Sequence, residues 1–544
     1  MYYRSRNFFL VVFFGKTVLF NSLMWYKLIE FALEDLLMSE DEKKFGFFRA
    51  LLWPIHRSEL KKVVSMLVLL FLLCICYNIV RNLKDTLVLT AKHSGAEVIL
   101  FLKVWGVLPG AILATWIYTR LARFLSREAV FYTVISGFIA YFLLFAFVIH
   151  PNSESLHFDS LGNWLTDHLP VGFKGVIAMV RNWTFSSFYI ISELWAVIVL
   201  GVLFWGFAND VTQVSQAKRT YGILNIGSNI APILGGGIGI LCGMIFPFSG
   251  GFGEDSWGKT LASSALTLTI LGSSAMGLFY WINRNVELSS VSYGDAVEHV
   301  KPKEKLKISI RDSIRYIFKS RYLTCLAIIV LSYNVCINIT DILWKEQLKN
   351  FFQDRNEMLV HMNMITIGTG VFATLGGLLF SLMVSRLGWT FAAILPPAIM
   401  TVMAAFFFLF LFSGDLFTSF ALTLFGATPF ALTVYFGSLQ NCLGKAAKYS
   451  LFDASKEMAF LPLDSDSKLR GKAAIDGLGS GIGKSGASLT YQGLILLLGS
   501  IAASTPYISV ILFIALTAWF SSVITLGGLF KKVGQSTVNS TGSS

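Results

Sequence analysis

The sequence predicts an all-α integral membrane protein of twelve transmembrane helices arranged as two six-helix halves. Three observations carry that prediction. Of 544 residues, 55% are hydrophobic and only 14% charged, whereas a soluble domain carries about 25% charged residues. Apolar stretches recur that exceed the roughly 18 residues needed to cross a bilayer. The Lys and Arg residues gather in alternate connections between those stretches. The 48 Phe and 13 Trp are more than a soluble globule could hide, so a soluble enzyme, a disordered chain and a fibrous repeat are excluded. Helices follow because a spanning helix satisfies all its backbone groups internally.

Nine stretches contain no Asp, Glu, Lys or Arg: 63–80, 129–149, 220–247, 261–283, 322–340, 364–385, 389–412, 416–443 and 505–530. Three more carry one or two charges: 98–118 with Lys103, 182–207 with Glu193, and 473–503 with Asp476 and Lys484. Arg57, Lys61 and Lys62 precede the first span. Arg120, Arg123 and Arg127 follow the second, and Lys218 and Arg219 follow the fourth. The connection 284–321 holds Lys301, Lys303, Lys305, Lys307, Arg311, Arg315 and Lys319. Arg386 follows the eighth span, six Lys/Arg lie in 444–472, and Lys531 and Lys532 end the twelfth. All of these fall on one side. The intervening connections 150–174 and 248–259 hold only Lys174 and Lys259. By the positive-inside rule both termini are cytoplasmic, in a multi-pass protein of a cell's inner membrane.

The expected organisation is therefore a cytoplasmic segment 1–52, a first half 53–283, a basic loop 284–321, a second half 322–530 and a disordered tail 531–544. Residues 1–37 are given no role. Within them, residues 1–20 resemble a signal sequence without its small-residue cleavage site.

Two connections on the other side break the charge rule. Arg81, Lys84 and Lys92 follow the first span, and Lys345, Lys349 and Arg355 follow the seventh. The same two places carry an internal match. Tyr77-Asn78-Ile79-Val80-Arg81-Asn82-Leu83-Lys84-Asp85 aligns with Tyr333-Asn334-Val335-Cys336-Ile337-Asn338-Ile339-Thr340-Asp341. Tyr, both Asn and Asp recur at identical spacing. Parallel repeats of this kind build major-facilitator-type carriers, which bind substrate between their halves near the midplane.

A charge inside the bilayer costs about 2.5–3.5 kcal/mol on insertion scales, so it faces a cavity or a partner. The charges to be placed are Arg81, Lys84, Asp85, Lys103, Arg181 and Glu193 in the first half. In the second they are Asp341, Lys345, Lys445, Lys448, Asp476 and Lys484. Cations outnumber acids, which points to an anionic, phosphorylated solute. Taken singly, Lys103, Lys445 and Lys448 also fit snorkelling or positive-inside anchors. Helical spacing puts Tyr189 and Glu193 on one face, with Ser186 beside them and Trp183 near. An aromatic ring beside hydroxyls and a carboxylate suits a nucleobase, although aromatics in a span also pack or face lipid.

Other motifs fail. Gly483-Lys484-Ser485 resembles the end of a phosphate loop, but Leu478 stands where the first glycine is required. The six cysteines, Cys74, Cys76, Cys242, Cys325, Cys336 and Cys442, lie in spans without a CxxC pair and read as small apolar residues. No hydrolase triad, dinucleotide fingerprint or nucleic-acid motif is present, and positive-inside topology accounts for the basic loop. No cofactor is called for.

Several stretches together resemble the ATP/ADP translocase (nucleotide transporter) family of plastids and of bacteria that live inside host cells. They are Trp53-Pro54-Ile55-His56, Arg81-Asn82-Leu83-Lys84-Asp85, Phe101-Leu102-Lys103-Val104-Trp105, Ser192-Glu193-Leu194-Trp195, Trp344-Lys345, Lys456-Glu457-Met458-Ala459 and Gly471-Lys472-Ala473-Ala474-Ile475-Asp476. The resemblance covers roughly residues 45–530. It implies a twelve-span nucleotide carrier in which Lys84, Glu193, an acid before Trp-Lys and Lys456 serve transport. That acid is Asp341 here, where the family's familiar form is glutamate. The carboxylate is kept but its reach is one methylene shorter.

The expected mechanism is alternating access, most simply ATP/ADP exchange by a monomer. Lys84 and Arg81, with Lys103 or Lys456, hold the phosphates. Asn78, Asn334 and the face from Trp183 through Tyr189 to Glu193 hold base and ribose. Lys345 and Lys448 complete the candidate substrate-binding set, and Asp341 and Glu193 balance the empty pocket. Proton-coupled carriage, other nucleotides such as GTP, UTP, CTP or NAD, and a membrane nucleotide receptor or channel are the competing readings.

Overall fold

The computed structural model describes residues 55, 56, 59–212, 214–244, 256–286, 317, 319–463, 471, 472, 475 and 480–541. The expected segment 1–52, most of the loop 284–321 and Asp476 lie outside them, as does the side chain of Lys484. The described chain is helical and lies in a multi-pass membrane protein. Ten of its helices are long and apolar enough to cross a bilayer, or eleven if one bent pair counts as a span.

Helix α1 is Leu60–Leu89, α2 is Glu97–Phe124 and α3 is Arg127–Ile149. Among the short helices that follow are α4 (Asp159–His168) and α5 (Lys174–Arg181). Then come α6 (Trp183–Val211), α7 (Val214–Met244) and α8 (Ser256–Asn285). The second half holds α9 (Arg321–Phe351), α10 (Arg355–Leu387), α11 (Trp389–Ser413), the short α12 (Thr418–Phe425) and α13 (Pro429–Phe460). It ends with α14 (Ser480–Leu498) and α15 (Ile501–Thr541). Helix α15 thus runs on through Thr541, into the stretch read from sequence as a tail.

Local chemistry sets the boundaries. Ser126 caps α3 by accepting from the Ala129 amide at 3.3 Å. Asp354 caps α10 by accepting from the amides of Asn356 and Glu357 at 2.9 and 3.0 Å. Both satisfy donors that a helix start leaves orphaned. The expected tenth span is broken: α12 and α13 meet at 60°. Gly426 takes a left-handed φ of 67° there, and Pro429 opens α13 with Thr428 as its cap. A residue with a side chain would resist that φ, and the proline cannot continue α12.

The first and seventh spans are longer than their charge-free cores. Helix α1 continues nine residues beyond position 80, and α9 eleven beyond position 340. Arg81, Lys84, Asp85, Lys345 and Lys349 are therefore wall residues of helices, not loop residues. The helix tolerates them because each finds a partner. These two helices are also the central pair. Their apolar windows are 67% and 61% buried, against at most 39% for the other described spans. The two members of the sequence repeat thus lie on the two most buried of the described spans.

The halves are joined at the end of the molecule where α1 finishes. The Ala96 amide donates to Glu346 Oε2 at 3.2 Å, and Arg355 donates to the Thr90 carbonyl at 3.4 Å. The Lys349 ammonium donates to the Ser94 carbonyl. Gln492 bridges to α2, donating to the Leu100 carbonyl at 2.9 Å and accepting from Trp105 Nε1 at 3.3 Å. Helices α7 and α10 pack through glycine: a Cβ on Gly239 would lie 2.6 Å from the Asn363 amide. Small residues let spans approach this closely.

Candidate functional site

Between α1 and α9 runs a row of alternating charges. Lys84 Nζ stands 2.9 Å from Glu193 Oε1 and 2.6 Å from Asp85 Oδ1. The other Asp85 oxygen, Oδ2, is 2.8 Å from Lys345 Nζ. Lys345 Nζ is in turn 2.7 Å from Asp341 Oδ2, and Asp341 Oδ1 is 3.1 Å from Lys445 Nζ. Asn441 also donates to Asp341 Oδ1, at 3.2 Å. The order is Glu193, Lys84, Asp85, Lys345, Asp341, Lys445. Three cations meet three carboxylates, so the row is neutral. Its middle is dry and its ends are wetter: Lys84 is 2% exposed, Glu193 25% and Lys445 22%.

Each helix contributes by spacing. Lys84 and Asp85 are neighbours on α1 yet reach different elements, since consecutive helical positions diverge by about 100°. Asp341 and Lys345 are four apart on α9, the separation that stacks side chains on one face. Tyr189 and Glu193 share that separation on α6. The Lys84 ammonium lies 3.8 Å from the centre of the Tyr189 ring, a close cation–π contact.

The pairings on either side of the α1–α9 contact have inverted charge. In the first, the α1 cation Lys84 pairs with the α6 acid Glu193. In the second, the α9 acid Asp341 pairs with the α13 cation Lys445. Three helices near this row carry a π-helical stretch, at Leu102–Val107, Trp195–Phe204 and Lys448–Phe452. These stretches contain Lys103, begin two residues after Glu193, and begin at Lys448. Such wide turns recur at functional sites because they re-aim side chains.

Two further cations lie near the row. Lys103 donates to Asn338 Oδ1 at 3.3 Å, and Arg81 to Thr366 Oγ1 at 3.3 Å. Both contacts cross from one half to the other.

The remaining sequence-predicted residues go elsewhere. Asn78 and Asn334 are buried and donate to their own helices, to the Cys74 and Val330 carbonyls at 2.8 Å each. Trp183 leaves the face expected for it: its indole donates to the Leu156 carbonyl at 2.7 Å and its ring stacks on Phe158. Lys448 pairs with Asp453 at 3.6 Å and lies over the Tyr449 ring at 4.4 Å. Lys456 is 3.8 Å from Glu457 and lines a small cavity with Trp389, Phe452 and Trp519, apart from the row. Asp85 and Lys445 were absent from the predicted binding set although the structure places them inside the row. The repeat alignment held the signal for Asp85, which matches Asp341. For Lys445 the signal was its four-residue spacing from Asn441.

A model of the TLC ATP/ADP transporter family matches residues 38–530. The chain belongs to that family. Among its relatives is "ADP,ATP carrier protein 1" of Chlamydia muridarum, 41% identical over 490 residues, covering 90% of this chain and 92% of that protein. "ADP,ATP carrier protein 1, chloroplastic" of Arabidopsis thaliana is 39% identical over 488 residues, covering 89% of this chain and 76% of its own. The "Plastidic ATP/ADP-transporter" of Solanum tuberosum is 39% identical over 477 residues, covering 88% and 74%. Among solved structures, the nucleoside transporter NupG aligns with 87% of this chain and 99% of its own, at 12% identity and a TM-score of 0.48.

Within this transporter family member, the six cysteines are buried, as small apolar residues in spans would be. No group of three or more His, Cys, Asp or Glu suited to a metal occurs among the described residues.

Proposed function

We propose that this protein exchanges ATP for ADP across a cell's inner membrane by alternating access. It works as a monomer of twelve spans in two six-helix halves, with both termini in the cytoplasm. The observation that carries the reading is the neutral charge row across the two halves, flanked by Lys103 and Arg81. Such an arrangement suits a polyanion. Buried charges are stable only when paired, and phosphate oxygens can replace carboxylates as partners for the same ammonium groups. The names and high coverage of the relatives support ATP and ADP as the solutes.

In this reading, the end where α1 finishes faces away from the cytoplasm, and the belt of Ser94, Glu346, Lys349 and Arg355 closes it. The wetter cationic end of the row, Lys445, is where phosphate arrives first. Arg81, Lys84, Lys103, Lys345 and Lys445 take the phosphates. Tyr189, whose ring already carries the Lys84 ammonium, positions that lysine rather than stacking on a base. Lys448 and Lys456 act on helix movement, through the π-helical turn of α13 and the cavity beside Trp519.

Exchange follows from electrostatics. Once nucleotide leaves, the row closes on itself again and holds α1 to α9, so the carrier returns only after another nucleotide has separated those pairs. Purified protein in vesicles loaded with ADP tests this directly. Labelled ATP should enter in proportion to the ADP that leaves, and ATP entry without ADP loss would count against exchange.

A further inference from the structure

Asp85 holds two lysines from two halves at once. Its Oδ1 is 2.6 Å from Lys84 and its Oδ2 is 2.8 Å from Lys345. Its side chain is 5% exposed, as is that of Lys345. In the internal repeat Asp85 matches Asp341, and both aspartates bind the same ammonium, at 2.8 and 2.7 Å. The repeat supplies two acids for one cation there, because the position matching Lys345 in the first half is Leu89. The Asp85–Lys345 pair is thus a buried joint between α1 and α9, and it lies beside the belt that closes the molecule at that end.

Resting on the exchange reading above, we propose that Asp85 is a built-in stand-in for the substrate's phosphate. In the empty carrier its two acceptor oxygens occupy Lys84 and Lys345. A nucleotide phosphate brings more charge and more acceptor oxygens to the same two ammonium groups and displaces the carboxylate. Helix α1 is then released from α9 and the belt can part. Asp85 is a positioning residue: it weakens nucleotide binding by competing, and in return it keeps an empty carrier from opening.

Two measurements on full-length protein in vesicles test this. The first compares Asp85→Asn, which keeps the shape and loses the charge, with Asp85→Glu, which keeps the charge. Asp85→Asn should lower the KM for ATP by about tenfold, since a competitor is gone. It should also raise efflux of labelled ADP into nucleotide-free buffer at least tenfold. Asp85→Glu should stay tightly coupled. A merely structural role would instead give a raised or unchanged KM with coupling intact, and that result overturns the proposal. The second leaves Asp85 in place and needs only Ser94→Cys, a buried belt position. ADP should speed its labelling by a membrane-impermeant maleimide at least fivefold. Labelling unaffected by ADP, in vesicles that do exchange nucleotides, overturns the proposal. Absence of exchange in the wild type would instead count against the functional reading itself.

Discussion

Replacing Lys84 by Met removes one ammonium from the middle of the row and leaves the shape of its stem. Lys345 and Lys445 then face Glu193, Asp85 and Asp341, and a neutral row becomes one net negative charge. A unit charge at about 4 Å is worth about 4 kcal/mol at an effective dielectric of 20. At about 1.4 kcal/mol per tenfold, phosphate binding falls roughly a thousandfold. Stability suffers as well, because breaking a buried pair costs about 3–5 kcal/mol. The low end applies here, since Glu193 is 25% exposed and Asp85 keeps Lys345. The assay is labelled ATP uptake into ADP-loaded vesicles, with protein insertion measured alongside. The single variant should show no uptake above background. Adding Glu193→Gln restores a neutral row, so the double variant should regain thermal stability but not transport. Uptake above a tenth of wild type in Lys84→Met, or its recovery in the double variant, refutes the role given to Lys84.

Other outcomes follow from the same geometry. Gly239→Val places a side chain against the Asn363 amide, and overpacking of this kind costs about 1–3 kcal/mol. It should weaken the joint of α7 and α10, lower exchange at least fivefold and raise maleimide labelling of Ser94→Cys without ADP. Trp183→Phe should leave the KM for ATP within about twofold, because that indole serves the Leu156 carbonyl and not the charge row. Lys456→Gln should lower the maximal exchange rate with little change in KM, since its cavity lies away from the row. His157, in the connection between α3 and α4, contacts Thr184 Oγ1 at 2.6 Å. Burial holds its pKa below the usual 6.5, with Lys92 helping and Asp159 and Glu154 opposing. The folded state therefore prefers the neutral ring. Its contribution is present above about pH 6.5 and is lost as pH falls toward the lowered value. Hydrogen exchange over residues 150–182 should quicken on acidification, and His157→Gln should remove that dependence.

Membrane class and most spans were legible in the sequence because a charge-free run of 20 residues has few alternatives. Span ends were less so. A rule that stops a helix at its first charge ended the first span at position 80, whereas α1 continues to Leu89. Its later charges are matched by acids and lysines far away in sequence, and no local pattern reveals such partners. The bend at Gly426 was hidden inside an unbroken apolar run, although the glycine and Pro429 marked it. For the site, the doubled Tyr-Asn-x-x-x-Asn-x-x-Asp pattern located the two helices that carry the row. The matching Asn78 and Asn334 donate their side-chain amides to carbonyls of their own helices. Trp183 was placed by helical spacing from Glu193, but it begins α6, and the adjoining connection gives its indole another partner. Resemblance to the family singled out Lys84, Glu193 and Asp341, and these three stand in one row. It also singled out Lys456, which does not. Asp85 stood among the charges to be placed but outside the binding set, because its second partner, Lys345, lies 260 residues away and no local pattern reveals it.

The central claim is that nucleotide itself replaces the internal ion pairs and so permits the return step. Uptake of labelled ATP into vesicles loaded with ADP, compared with empty vesicles under an imposed pH gradient, tests it most directly. The charge row predicts rapid uptake into loaded vesicles and background uptake into empty ones, whatever the gradient. Uptake into empty vesicles that follows the pH gradient would contradict it.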